Sequence, residues 1–142
     1  MTASIELNPD AQHNGLACML AELIRANVAQ HPQKQELLNT TRGSVAIVAE
    51  DAQVALTLLF DTHGLTIHDG IHGIPNVTIR AQSGDISKLS LMQFVSPFGM
   101  PKLSDATTRE LVTAILKRRI RVYAEPQELP ILGPVSQLMS VD

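Results

Sequence analysis

An α+β fold is predicted for the chain, a five-stranded, mainly antiparallel sheet covered on one face by helices. Three observations carry it. Four runs between Ser44 and Gln82 alternate apolar with polar residues, the period of a strand with one buried face. Their connections are short, as between neighbouring antiparallel strands, so they read as a meander. Amphipathic helical patterns stand on both sides of these runs, and a later alternating run, Arg119–Ala124, supplies a fifth strand.

Residues 1–9 read as a loose leader and 10–142 as a single domain. Asn8 or Asp10 can cap a helix of about 11–30, with Pro9 tolerated in its first turn. Leu16, Leu20, Leu23, Ile24 and Val28 share one face of that helix, and His31-Pro32 breaks it. Residues 33–38 give one or two helical turns before the loop Asn39–Gly43. The first strand, Ser44–Glu50, places Val45, Ile47 and Ala49 on one side. The second, Val54–Phe60, does the same with Val54, Leu56, Leu58 and Phe60. Leu65 and Ile67 mark a short third strand, closed by Asp69-Gly70, and Val77, Ile79 and Ala81 mark the fourth. The opposite faces are mixed: Thr57, Thr66, His68, Thr78 and Arg80 are polar, whereas Ala46, Val48 and Leu59 are not. One face is therefore fully apolar and must be covered.

Ser83 or Asp85 caps a helix of about 84–91. The connection Met92–Pro101 is unusual in holding Phe94 and Phe98, Met92 and Met100, and Pro97 and Pro101. Ser104 or Asp105 caps a helix of roughly 105–117 with Leu111, Ile115 and Leu116 inward. A last helix, 127–139, carries Leu129, Leu132, Val135, Leu138 and Met139, and Pro130 and Pro134 make it short, irregular or two-part.

At 142 residues the chain can bury a sizeable core without staples. Apolar residues make up 44%, charged residues 18% and aromatics only 3%, so the interior is aliphatic. Such an interior suits adaptable binding of apolar ligands as well as an ordinary core. Net charge is −3, and the densest basic cluster is Lys117-Arg118-Arg119 with Arg121 close by. Nucleic-acid binding calls for more positive charge and stacking aromatics, so no nucleic-acid partner is expected. Cys18 is the one cysteine, which excludes an internal disulfide and fits a reducing compartment. No signal peptide, membrane-length apolar run or peroxisomal tripeptide is present, which makes the cytoplasm the expected location.

Few residues suggest reaction chemistry. His63, His68 and His72 cluster around the third strand, but their spacing matches no standard zinc pattern and surface or turn roles account for them, so no metal is expected. Cys18 has His13 nearby, but a nucleophile also needs an electropositive site, and a packed structural thiol is the simpler reading. Gly70, Gly73 and Gly99 form no phosphate-binding signature. No catalytic residue and no cofactor are assigned, and an enzyme is not expected. The apolar segments Met92–Met100 and 127–139 either cover an apolar cavity as a lid or plug the core.

The run Leu58–Gly70, then Pro75–Ala81, then Gly84–Leu89, resembles the sterol carrier protein 2 (SCP2) domain. Lys117–Ala124 sits where that family has its fifth strand, and Arg118-Arg119-Ile120 looks like the bacterial accessory branch linked to quinone-lipid biosynthesis. The resemblance covers about residues 37–139, with Asn76 where the family's fourth strand usually opens on Asp. It implies a non-enzymatic domain holding a sterol, fatty-acyl or isoprenoid-type lipid in an apolar tunnel between sheet and helices. An accessory subunit of lipid or quinone biosynthesis that presents an apolar substrate to an enzyme is the alternative. Lipid-binding candidates on the sheet wall are Leu56, Leu58, Ile67, Val77 and Ile79. On the helical wall and lid they are Phe94, Phe98, Met100, Leu111, Ile115, Leu132, Val135 and Met139. The expected partners are an apolar lipid, with a transient membrane surface, a biosynthetic enzyme or a second copy of the chain left open.

Overall fold

A computed structural model of the chain describes residues 3–84, 86, 94–95, 100–101 and 120–139. Its main sheet has six strands: β1 (Ser4–Leu7), β2 (Gly43–Ala49), β3 (Val54–Asp61), β4 (Gly64–Asp69), β5 (Val77–Ala81) and β8 (Arg121–Ala124), in the order β1-β4-β3-β2-β5-β8. Two two-residue strands, β6 (Phe94–Val95) and β7 (Met100–Pro101), pair antiparallel apart from it. The described α-helices are α1 (Gly15–Gln30), α2 (Pro32–Thr40) and α3 (Leu132–Met139).

The sheet corrects the expected arrangement, a four-strand meander plus a fifth strand, in two places. The first is β1, where a loose leader was expected. Ser4–Leu7 runs parallel to β4 as an outer strand, with Ser4 N donating to His63 O and Asn8 N to Ile67 O, each at 2.9 Å. Ile5 and Leu7 are too few to announce a strand, and the segment is held by groups distant in sequence. Ala3 N donates to Asn39 Oδ1, Gln35 Nε2 to Ala3 O and Arg25 Nη2 to Ile5 O. Gly64 makes the pairing possible. Its φ is +125°, and a Cβ there would stand 2.0 Å from Ser4 O.

The second correction is β5. It does not follow β4 as its neighbour but returns across the sheet to pair in parallel with β2, Val45 beside Val77 and Ile47 beside Ile79. The sheet is thus mixed, with β1·β4 and β2·β5 parallel and the other pairs antiparallel. The connection Gly70–Asn76 is a strap over the face opposite the helices. Thr57, buried between Leu56 and Leu58 but pointing the other way, holds it: its hydroxyl donates to Gly70 O and accepts from His72 N. At the far end Asn76 N donates to Ser44 O, and Asn76 Oδ1 accepts from Ser44 N at 2.8 Å.

Helix α1 starts later than expected. Asn8 and Asn14 divide the capping between them: Asn8 Oδ1 accepts from Asp10 N to open a 3₁₀ turn, Pro9–Ala11, and Asn14 Oδ1 accepts from Ala17 N to open α1. The buried stripe of α1 is Ala17, Leu20, Ala21, Ile24 and Asn27, with Leu16, Leu23 and Val28 at its flanks. The C-terminal segment is two-part, as its prolines require: a 3₁₀ stretch, Pro126–Ile131, runs into α3, and Pro134 falls in the first turn of α3 where it breaks no hydrogen bond. Ser83, Gly84 and Ile86 are helical; the cap on this turn comes from Asp51, whose Oδ1 accepts from both Ser83 N and Ser83 Oγ at 2.8 Å. Those bonds hold the Asp51 carboxyl below its ordinary pKa. The remainder of that expected helix and the expected helix at 105–117 lie outside the described residues.

Asn76 also explains its own identity. While Oδ1 binds Ser44, Nδ2 donates to Glu128 Oε2 at 3.1 Å, tying the β2–β5 junction to the 3₁₀ stretch before α3. An aspartate can accept from Ser44 but cannot donate to Glu128. Asn76→Asp is expected to lower stability by roughly 1–2 kcal/mol at neutral pH and to recover as the facing carboxylates protonate, read from urea midpoints at pH about 7 and about 4. Gly64→Ala is expected to cost roughly 1–3 kcal/mol or more and to expose β1 to amide exchange. Gly15→Ala, where no atom lies within 4 Å of the added Cβ, serves as the harmless control.

Candidate functional site

The register of the sheet builds its apolar face row by row. Leu7, Ile67, Leu58, Val45, Val77 and Ala124 lie side by side across all six strands. On one side of this row runs Leu56, Ile47, Ile79 and Val122, ending at Asp69 on β4. On the other side run Ile5, Leu65 and Phe60, ending at Gly43. A Cβ at Gly43 would meet Ile131 Cδ1 at 2.9 Å, so the 3₁₀ stretch before α3 closes directly onto that end of the face. The one charge at the margin, Asp69, is turned to the α1 cap, where Asn14 Nδ2 donates to its Oδ1 and to Ala55 O.

Leu56, Leu58, Ile67 and Val77 have 0% of their surface exposed and Ile79 has 7%. They form one apolar cluster with Leu20 and Ile24 of α1, Leu38 of α2, and Val135, Leu138 and Met139 of α3, and Leu132 packs half-buried against it. Eight of the thirteen residues named from the sequence are therefore in or against one layer: Leu56, Leu58, Ile67, Val77, Ile79, Leu132, Val135 and Met139. Phe94 and Met100 fall on β6 and β7, and the backbone of β6 neighbours α3. Phe98, Leu111 and Ile115 lie outside the described residues.

Sequence reasoning missed the polar pin of the layer. Asn27, nearly fully buried on the inward stripe of α1, donates from Nδ2 to Leu138 O at 2.9 Å and so holds the last turn of α3. Its signal was its position, seven residues after Leu20 and three after Ile24, where a helical stripe demands burial. α2 likewise turns Lys34 inward, one turn before Leu38.

The titratable side chains are placed for structure. Cys18 Sγ faces two carbonyls, Ala11 O at 3.9 Å and Gln12 O at 3.5 Å. Arg121, from the basic run near β8, is bonded to Glu50; Lys117, Arg118 and Arg119 lie outside the described residues. Of the clustered histidines, His68 and His72 stack with ring centroids 4.0 Å apart, while His63 sits at the other end of β4 beside Asp61. Among the described residues no group of three or more His, Cys, Asp or Glu is arranged to hold a metal ion.

The chain as a whole superposes on solved structures. One described as "UbiJ-SCP2 Ubiquinone synthesis protein" superposes with a TM-score of 0.58 at 14% identity, over 87% of this chain and 94% of that one. The fold is that of sterol carrier protein 2 domains. A crystal structure of sterol carrier protein 2 gives a TM-score of 0.51 at 12% identity, over 87% of this chain and 92% of that one. The apo form of sterol carrier protein 2 from Yarrowia lipolytica gives 0.50 at 10% identity, over 85% and 89%. No protein-family model matches the chain, and no curated protein matches it. The likeness is of the SCP2 fold, carried by shape at low identity.

If Asn27 pins α3, Asn27→Ala will leave Leu138 O without its donor inside the layer. The expected loss is roughly 1–3 kcal/mol, with faster proteolytic cleavage after α3 loosens than after an equally destabilising change in the β2–β3 hairpin. Leu58→Ala, at the centre of the longest row, should cost roughly 2–5 kcal/mol in a urea titration without that selectivity for α3.

Proposed function

We propose that the chain binds a sterol, fatty-acyl or isoprenoid-type lipid between the apolar sheet face and the helices, without chemical conversion. The observation that carries this is the unbroken apolar row across six strands, closed by α1 and by α3, which Asn27 ties to α1. Leu56, Leu58, Ile67, Val77 and Ile79 form the sheet side of the tunnel. Leu132, Val135 and Met139 form the α3 side, and Phe94, Phe98, Met100, Leu111 and Ile115 supply its lid. A lipid inserted there replaces side-chain contacts with chain contacts. An acyl segment of about ten methylenes gains roughly 8 kcal/mol of burial before the costs of ordering it and of parting α3 from the sheet. The work is done in the cytoplasm; among the described residues no helix is long and apolar enough to cross a membrane.

A second reading has support of its own. The structure with the TM-score of 0.58 bears the description of a ubiquinone synthesis protein, which supports a reading in which this chain presents an apolar intermediate to an enzyme.

Gentle extraction and mass spectrometry of the purified protein should yield a bound lipid, displaced stoichiometrically by a fluorescent acyl probe. Leu132→Trp, at the half-buried edge of the layer, should weaken the probe about tenfold with little change in unfolding midpoint. Absence of both co-purified lipid and probe binding would sink the proposal. Transfer of the probe between vesicles separates the readings: a carrier accelerates it, a presenting subunit does not.

A further inference from the structure

The strap Gly70–Asn76 is fastened at its two ends by Thr57 and by the Asn76–Ser44 pair. Between those ends it has little to hold it. Ile71 is 49% exposed and Ile74 97% exposed. The side-chain contact that seats this stretch is the His72 ring, stacked on His68 at 4.0 Å and within 6° of parallel.

His68 is buried, and its Nδ1 lies 3.0 Å from Asn8 Nδ2. An amide nitrogen donates, so the bond requires an unprotonated Nδ1 and places the ring proton on Nε2. Asn8 cannot turn its oxygen toward a protonated ring without loss, because Asn8 Oδ1 already accepts from Asp10 N at 3.1 Å to cap the 3₁₀ turn. The other polar and charged groups around the pair are Asp10, with Oδ2 4.0 Å from His68 Nδ1, and Thr57, opposite His68 in the β3–β4 register. Glu6 stands on β1 opposite Thr66, two residues before His68. Asp69 is held by Asn14, and His13 Nε2 lies 3.6 Å from its Oδ2.

We propose that Asn8, His68 and His72 form an acid-sensitive latch that seats the crossover strap on the sheet and releases it when the His68 imidazole takes up a proton. Protonation at Nδ1 sets two donors against each other at Asn8 and places a positive charge against the face of the stacked His72 ring. The exposed ring moves, and with it the stretch of strap between Thr57 and Asn76. Burial pushes the pKa of His68 below the ordinary imidazole value, His72 pushes it further in the same direction, and Asp10 opposes both. The open strap hydrates His68 and restores its ordinary affinity for protons. Protons therefore bind the open form more tightly, so the strap is seated above the ordinary imidazole pKa and loosened as pH falls below it.

Amide exchange followed by mass spectrometry tests this on the whole chain at pH about 7.5 and about 5.5, each rate normalised to its intrinsic value. Peptides covering 70–76 should lose about tenfold protection in acid while those of β2 and β3 keep theirs, and His68→Gln should abolish the difference. Unchanged protection in the parent, or an equal acid response in His68→Gln, overturns the latch. Should that variant fail to fold, an NMR titration of the parent decides. A His68 midpoint below the ordinary imidazole value, with the Asn8 side-chain amide and the His72 backbone amide shifting in step, supports the latch. A midpoint at or above the ordinary value, or amides that do not follow it, overturns it.

Discussion

The parallel pairing of β5 with β2 is the constraint on which the rest of the molecule depends. It sets Val77 beside Val45 and Ile79 beside Ile47, extending the apolar rows past the β2–β3–β4 meander instead of ending them at β2. It leaves the outer edge of β4 free, and β1 occupies it. It turns the outer edge of β5 toward β8, which completes the longest row with Ala124. It also obliges the chain to travel from the end of β4 to the start of β5 over the face away from the helices. A buried threonine in an otherwise aliphatic strand follows from that route: the strap's backbone needs a hydrogen-bonding partner where it crosses β3, and Thr57 supplies both a donor and an acceptor.

How much of this the amino-acid order reveals depends on how local the cause is. Strands β2, β3 and β5 alternate over long enough runs that their inward residues, from Val45 to Ile79, are evident, and with them the sheet side of the candidate site. The Pro-divided end of the chain is equally plain, because Pro130 and Pro134 act on their own backbone. The strand β1 is not, since two apolar residues carry no period and the groups that hold it, Arg25, Gln35, Asn39 and Gly64, are scattered. The crossover was concealed by the habit that short connections join neighbours. Gly70–Asn76 is short for a crossover yet extended enough to make one, and only Thr57 and Asn76 hint at where it goes. Asn27 reads as an ordinary helical residue until the stripe around it is found to be buried.

The polar groups of this protein that are committed twice are the ones that join its layers. Asn14 caps α1 and binds both Ala55 O and Asp69. Asn76 opens β5 and reaches Glu128. Asn8 caps the 3₁₀ turn and binds His68. In each case the side-chain amide is used for having a donor and an acceptor at once, which a carboxylate lacks. That accounts for Asn76 standing where the resembling family usually has Asp.

An apolar layer of this kind does not by itself distinguish a core from a binding site, since both are closed by the same contacts. What separates them is how firmly the closing element is held. The sheet is fixed by ladders of backbone hydrogen bonds on every internal edge, whereas α3 meets α1 through side-chain packing and the single described bond from Asn27 to Leu138 O. If the layer opens as the proposed function requires, the sheet side stays and α3 moves, so ligand fit would be decided by Leu132, Val135 and Met139 rather than by the more deeply buried strand residues. The sheet rows then act as the fixed, featureless wall that tolerates many apolar shapes. Under the proposed function, selection among lipids would fall to the segment whose prolines keep it from locking into one long helix.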